Sequence, residues 1–246
     1  MYYEHIQPGK DHVLKLRIET VMADHPAYGY ERVAMELNEG AERVRRVMRQ
    51  NGLRPAIRRR KYWDKPKSPP FEDELNNLIK DIKAVRPCHI WAGDFTYLWF
   101  NDKWYYLATV IDLFSREIVG WQLGKRHKAQ LIRLAYCDAL SRHPPPVIFH
   151  ADHGSEYTAE STKQLVGLSG GQMSYSDKGS PWQNGFQESF YGHFQLELGD
   201  LTRFEHEGEL YEAIAKQLYY YNHKRIHTAI RTNPVNYREE YHLAKS

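Results

Sequence analysis

The hydrophobic positions of this chain change period along its length. Over the first ~60 residues they follow helical spacing. Val13, Leu14, Ile18 and Val21 return to one side of a helix, and YERVAMELN and AERVRRVMRQ continue the pattern on either side of Glu39-Gly40. In AERVRRVMRQ the stripe is Val44, Val47 and Met48, which leaves Arg43, Arg45, Arg46 and Arg49 on other faces. Two short helices about a glycine turn predict a helix-turn-helix whose arginines face phosphates or groove edges. The next segment, RPAIRRRKYWDKPKSPP, has no period. Basic and proline-rich, it reads as an extended linker able to track a polyanion with Arg58, Arg59, Arg60 and Lys61. The expected organisation is a small helical domain over 1–60, a basic linker and helix over 61–85, and a larger α/β domain over 86–246.

From Ile90 the texture becomes aromatic and β-branched: IWAGDFTYLWF, KWYYLATVIDLF and REIVGWQL, joined at Asn101-Asp102 and Ser115-Arg116, predict three antiparallel strands. A helix over about 127–142 stops at Pro144-Pro145-Pro146, and VIFHAD predicts a short buried strand ending at Asp152. The order βββαβ continues with a helix near 159–167 and a strand at Met173–Ser176. In SPWQNGFQESFYGHFQLEL, Ser180 reads as an N-cap, Pro181 as the first helical residue and Gln183 as the capping-box partner. Phe186, Phe190 and Phe194 form the expected packing stripe there, with Asn184, Glu188, Tyr191 and Gln195 on another face. The last strong helix covers about 207–223 and buries Leu210, Ile214, Leu218 and Tyr221.

Charge sharpens the division. Residues 1–67 hold 15 Lys/Arg against 9 Asp/Glu, a surplus of six, while the whole chain carries only +3. The basic end is therefore the expected polyanion-binding part. No apolar run reaches the ~18 residues of a membrane span, and the N-terminus lacks a secretory pattern, so a cytosolic protein is expected. Cys88 and Cys137 have no CxxC spacing, and His150 and His153 merely flank Asp152, so neither a disulfide framework nor zinc is expected.

Three acids stand at element ends: Asp94 in the first strand, Asp152 at the end of the fourth, and Glu188 on the capped helix, with 188 − 152 − 1 = 35 residues between the last two. An unpartnered carboxylate among Trp91, Phe95, Tyr97 and Trp99 would be costly, so Asp94 needs a partner. Clustered carboxylates repel unless cations neutralise them, and hard oxygen donors favour Mg²⁺ or Mn²⁺. Two such ions, about 3.5–4 Å apart, would activate a water or 3′-hydroxyl for in-line phosphoryl transfer without a protein nucleophile. Asp112, inside VIDLF, reads instead as a structural hydrogen-bonding group. Lys178, Trp182 and Asn184 lie on the approach to Glu188, and Lys224 and Arg225 follow a tyrosine cluster, positions suited to DNA contact.

WAGDFTYL, HADHGSEY and SDKGSPWQNGFQES, with YNHKRIHTAIRTNPVNY beyond them, resemble the blocks of bacterial insertion-sequence transposases with a retroviral-integrase-like DDE core; the likeness runs from about Tyr28 to Tyr237. It implies an RNase H-like core, a mixed five-stranded sheet flanked by helices, behind a helix-turn-helix-like domain. It also implies Asp94, Asp152 and Glu188 as catalytic metal ligands, Mg²⁺ dependence, cleavage at element ends, and transfer of the freed 3′-hydroxyl to another phosphate. Expected partners are terminal inverted repeats and target DNA, further copies of the chain on that DNA, and an upstream-frame helix-turn-helix and coiled-coil segment, in the bacterial nucleoid. The chain departs from the pattern at Gln195, where a basic residue is usual, and at Gln183-Asn184, where Asp-Asn is usual. The rival readings are a catalytically inactive DNA-binding relic or regulator and a plain RNase H-like nuclease.

Overall fold

A computed structural model describes residues 7–57, 76–80, 82–177 and 185–245. Arg58, Arg59, Arg60, Lys61, Lys178, Ser180, Pro181, Trp182, Gln183 and Asn184, all singled out by the sequence, lie outside these residues.

The basic end is a three-helix unit: α1 (Gln7–Asp24), α2 (Tyr30–Leu37) and α3 (Ala41–Gln50). The predicted stripe forms its core, with Leu14, Ile18, Val33, Val44, Val47 and Met48 buried. Val13 is a correction: one position before Leu14, it turns about 100° away and is 58% exposed. Asn38 ends α2 at φ 50°, and its N–H reaches back to Ala34 and Met35 carbonyls, so asparagine supplies the left-handed cap more often given by glycine. Ile226, far along the chain, packs against this same core.

The α/β part contains β1 (Ile90–Phe100), β2 (Lys103–Asp112), β3 (Ile118–Gly124), α4 (Ala129–Leu140), β4 (Ile148–Ala151), α5 (Ser155–Thr158), α6 (Glu160–Leu168), β5 (Gln172–Tyr175), α7 (Gly185–Leu198), α8 (Glu207–His223) and α9 (Pro234–Leu243). The sheet order is β3-β2-β1-β4-β5. β1 and β2, and β2 and β3, pair antiparallel, whereas β4 joins β1 and β5 joins β4 in parallel. The β1–β2 turn places Asn101 and Asp102 at φ 46° and 56°, the two positive angles of a tight hairpin turn matched to strand twist.

Strand alternation divides the core between two faces. Trp91, Phe95, Val110 and Phe149 pack with Ile132, Ala135 and Tyr136 of α4, while Ala92, Leu107 and Ile111 pack with Phe190 and Phe194 of α7 and Leu210, Ile214 and Leu218 of α8. Gly120 lets α4 lie on the sheet: a β-carbon there would collide with the Ala135 carbonyl oxygen and with Ala139. Asp112 holds the expected structural role, accepting from the backbone N–H of Cys88, Phe114 and Ser115 at 2.6, 2.7 and 2.9 Å. Helix α9, absent from the sequence prediction, is capped by Asn233, which accepts from Asn236 N–H, with proline at its first turn. No described helix is long and apolar enough to cross a membrane.

Candidate active site

The middle of the central strand and two neighbouring elements bring the three acids into electrostatic contact. Asp94 sits midway along β1, paired with Thr109 of β2, on the face that carries α7. Asp152 is the first residue beyond β4, the strand parallel to β1, so it leaves the carboxyl end of the sheet where α/β folds expose ligand-binding groups. Its Oδ1 accepts the Gly154 N–H at 2.9 Å, which folds the loop back on itself. Glu188 lies exposed in the first turn of α7.

The placement of Glu188 follows from two polar residues of α7 buried against the sheet. Gln187, fully buried, donates to the Ala92 carbonyl at 2.7 Å and accepts from the Thr109 hydroxyl at 3.2 Å. Tyr191, one turn on, donates to the Asp94 carbonyl at 2.7 Å and shares a 2.7 Å contact with the Thr109 hydroxyl. A helix pinned one residue before and three after Glu188 has little freedom to roll, so Glu188 stays on the Asp94 side. This arrangement corrects the predicted faces. Phe186 is 45% exposed, and Gln187 and Tyr191 take the core positions beside Phe190 and Phe194. The sequence signal that fits them is the buried β1 acid itself, whose backbone and cross-strand Thr109 demand donors that an all-phenylalanine stripe cannot provide.

Asp94 is only partly open to solvent. Burial pushes its carboxyl up to about 7, partly opposed by the Phe95 N–H at 2.8 Å, and the charges of Asp152, Glu188 and Glu156 push it further in that order. Glu156 was not anticipated. It is 9% exposed, its Oε1 lies 3.1 Å from His127 Nε2, and a β-carbon on Gly154 would stand 2.6 Å from that oxygen and 3.0 Å from Asp152 Oδ1. Glycine at 154 thus keeps two carboxylates around one bend. Among the described residues no three His, Cys, Asp or Glu side chains gather at metal-ligating separation. The donor set nonetheless suits a hard divalent cation: all-oxygen, anionic, and with Asp94 held in a protonation balance that positive charge would shift toward carboxylate.

The other sequence-nominated residues are scattered. Arg46 forms a two-pronged pair with Asp11 at 2.8 and 3.1 Å, Arg43 pairs with Glu39 at 3.0 Å, and Arg45 approaches Glu42 at 3.4 Å. Arg49 and Lys224 are exposed. Gln195 keeps an exposed place, whereas Arg225 does not. Gln195 donates to the Thr96 hydroxyl at 2.6 Å, bracing α7 on β1. Arg225 is 2% exposed and pairs with Glu197 at 2.9 Å, because it folds inward from the end of α8 rather than out to solvent. His150 is buried, its Nδ1 2.9 Å from the Ser174 hydroxyl, and burial lowers its pKa to about 4.

Three antiparallel strands extended by two parallel ones and flanked by helices define the integrase-core class of RNase H-like folds. The chain matches the integrase core domain family over residues 84–181 and, through a second integrase core description, over 169–234; residues 8–61 match an HTH-like domain. It is 34% identical over 239 residues to the transposase for insertion sequence element IS904 of Lactococcus lactis, covering 92% of this chain and 94% of that one. It is 33% identical over 181 residues to transposase InsF for insertion sequence IS3A of Escherichia coli, covering 69% of this chain and 62% of that one. Its fold is similar to the HTLV-2 integrase catalytic core domain solved with magnesium, with a TM-score of 0.54 and 19% identity over 63% of this chain and 99% of that one. It also resembles a simian T-cell lymphotropic virus intasome structure, with a TM-score of 0.58 and 14% identity over 90% of this chain and 74% of that one. The chain belongs to the insertion-sequence transposase family with an integrase core. Its business is DNA transposition, and it is an enzyme of the polynucleotidyl-transferase type.

Proposed function

We propose that the chain cuts DNA at the ends of its own insertion element and joins the freed 3′-hydroxyl to another DNA phosphate, with Asp94, Asp152 and Glu188 as the catalytic acids. The observation that carries this reading is the coupling of Asp94 to Asp152 and Glu188 across three separate elements, with α7 anchored to the sheet on both sides of Glu188. In the first step water oxygen bonds to phosphorus as the bond to the 3′-oxygen breaks; in the second that 3′-oxygen attacks a target phosphodiester and a new 3′-hydroxyl leaves. Asp94, Asp152 and Glu188 would hold Mg²⁺ or Mn²⁺, two ions in the full complement, which when bound lower the pKa of the attacking hydroxyl and offset charge on the leaving oxygen. Gln187 and Tyr191 fix the angle of α7, and Gly154, lacking a β-carbon, leaves room for the Asp152 and Glu156 carboxylates.

DNA reaches this site from the basic helical unit, where exposed Arg49 is available to phosphates, and from Lys224 near the end of α8. Joining two element ends in one complex requires at least two copies of the chain on DNA, and the bacterial cytoplasm at the nucleoid is where that substrate lies. The upstream-frame segment expected from the family resemblance belongs to the same proposal.

The test is strand cleavage and joining on labelled DNA carrying the flanking element's end, with Mg²⁺, Mn²⁺ or EDTA. Wild-type protein should nick and join only with metal, and Asp94→Asn, Asp152→Asn and Glu188→Gln should each lose both steps while retaining DNA. Equal activity in Glu188→Gln would refute the assignment, and binding without cleavage in the wild type would favour the inactive relative.

A further inference from the structure

Beside the first turns of α7, and reaching Ile111 of β2, lies an open cleft of about 420 Å³. Its walls come from parts of the chain distant in sequence: Arg32 of α2, Arg116 of the β2–β3 turn, Arg225 and His227 beyond α8, and Phe186 and Ser189 of α7. Three guanidinium groups thus share one recess. They are under-partnered: Arg32 Nε, Arg116 Nε and Nη1, Arg225 Nη2 and His227 Nδ1 are all buried from solvent with no hydrogen-bond partner among the described residues. Arg225, itself 2% exposed, spends its Nε on Glu197 and leaves Nη2 idle.

Such a cluster is expensive without a counter-charge, since each buried unsatisfied donor carries the full cost of desolvation. The nearby carboxylates are otherwise engaged. Glu197 accepts from Arg225 and from Gln217, and Asp112 is taken up by three backbone N–H groups. The electrostatics agree with the geometry: burial and the neighbouring Arg225 hold Arg32 below its usual value, and burial with the three arginines lowers His227 to about 4. The arrangement is also rigid. Arg116 sits at φ 68° with its guanidinium stacked 3.8 Å from the Phe186 ring centroid, and Tyr28, one turn before Arg32, accepts the Ile226 N–H at 2.6 Å. Donors fixed by packing before the ligand arrives are what recognition of a compact oxyanion requires.

We infer that Arg32, Arg116, Arg225 and His227 form a recessed phosphate site that takes one backbone phosphate of the bound DNA strand and ties the basic helical unit to the catalytic part. The recess is built from both units, so occupying it favours the arrangement in which they are docked. The choice of DNA over free phosphate as the source rests on the function proposed above; the oxyanion chemistry does not.

The experiment uses the full chain in chloride buffers of constant ionic strength, with inorganic phosphate as the probe and thermal unfolding as the readout. Wild-type protein should gain stability as phosphate rises, saturably. Arg32→Gln and Arg116→Gln should begin at an equal or higher melting temperature, because each removes one of three like charges, and should need at least about tenfold more phosphate for the same gain. Short duplex DNA should displace phosphate, and each variant should lower the slope of log affinity for DNA against log salt by about one. A wild-type phosphate response in both variants, or a lower starting stability in both, would overturn the site. Loss of the phosphate response with an unchanged salt slope, and no displacement by DNA, would overturn DNA as its occupant. Glu188→Gln serves as the control: it should respond to phosphate as wild type does, so failure of strand cleavage leaves the site standing.

Discussion

Asp94→Asn should make the metal-free protein more stable while abolishing strand cleavage. Asp94 titrates at about 7 in the folded chain against its usual 3.8, because burial and three neighbouring carboxylates disfavour its charge. Below pH ~4 the acid is protonated whether or not the chain is folded, and the difference contributes nothing. As pH rises toward 7 the unfolded chain releases its proton and the folded chain holds it, so folding becomes progressively less favourable; above 7 the full penalty applies. The gap corresponds to a ceiling of about 4 kcal/mol, at roughly 1.4 kcal/mol per tenfold change in proton affinity. Asp94 is partly open to solvent, which screens it, so about 2 kcal/mol is the working expectation. Asparagine keeps an oxygen for the Phe95 N–H and removes only the charge. In EDTA at pH 8.5, that gain should raise the melting temperature by about 4–8 °C. At pH 4.5 the two proteins should melt close together, and Mg²⁺ should stabilise wild type more than the variant. A variant that melts below wild type at pH 8.5 would refute the electrostatic account.

Tyr191→Phe removes the hydroxyl that serves both the Asp94 carbonyl and Thr109, and should cost about 1–3 kcal/mol in urea titration and lower cleavage by loosening α7. Gly120→Ala forces a methyl group into the α4 backbone and should destabilise by about 3 kcal/mol or more, visible as a lower denaturation midpoint with no preference for pH. Arg238 makes a two-oxygen contact with buried Glu117, whose carboxyl burial raises to about 7. Arg238→Leu should therefore cost about 3–5 kcal/mol at pH 8.5, where the stranded acid must ionise on exposure or remain protonated, and much less at pH 5. Equal losses at the two pH values would refute that role.

Most of the strands and the three-helix unit were legible because their apolar residues kept one period over a whole element. Val44, Val47 and Met48 on α3, and the strand pairings on either side of Asn101-Asp102, show how little beyond periodicity and turn chemistry is needed. The family blocks made Asp94, Asp152 and Glu188 conspicuous. The buried face of α7 is less legible. Three phenylalanines four residues apart outweighed Gln187 and Tyr191, yet the latter are buried because the sheet offers unpaired backbone and hydroxyl groups at that depth. Periodicity marks a buried face by its apolar residues and carries no trace of an acceptor supplied by another element. The same limit hid Glu156, which depends on His127, and the inward turn of Arg225, which depends on Glu197. Helix α9 escaped because its short amphipathic stretch follows an irregular loop and carries a weak apolar stripe.

The contact between Tyr28 and Ile226 spans almost two hundred residues and has a consequence for biosynthesis. On a ribosome, the first three helices emerge long before the segment after α8 that seats Tyr28 and completes their core. Until α8 and the segment after it are out, the basic unit lacks the partners of His25 and Tyr28, and the ~20-residue-per-second upper pace of translation makes that an interval of seconds. A nascent chain in that interval has its basic helical unit but no fixed bearing of that unit on Asp94, Asp152 and Glu188. On the proposed function, grip on DNA and the ability to aim a cut would mature at different moments, and an interrupted translation product would occupy DNA without being oriented to sever it.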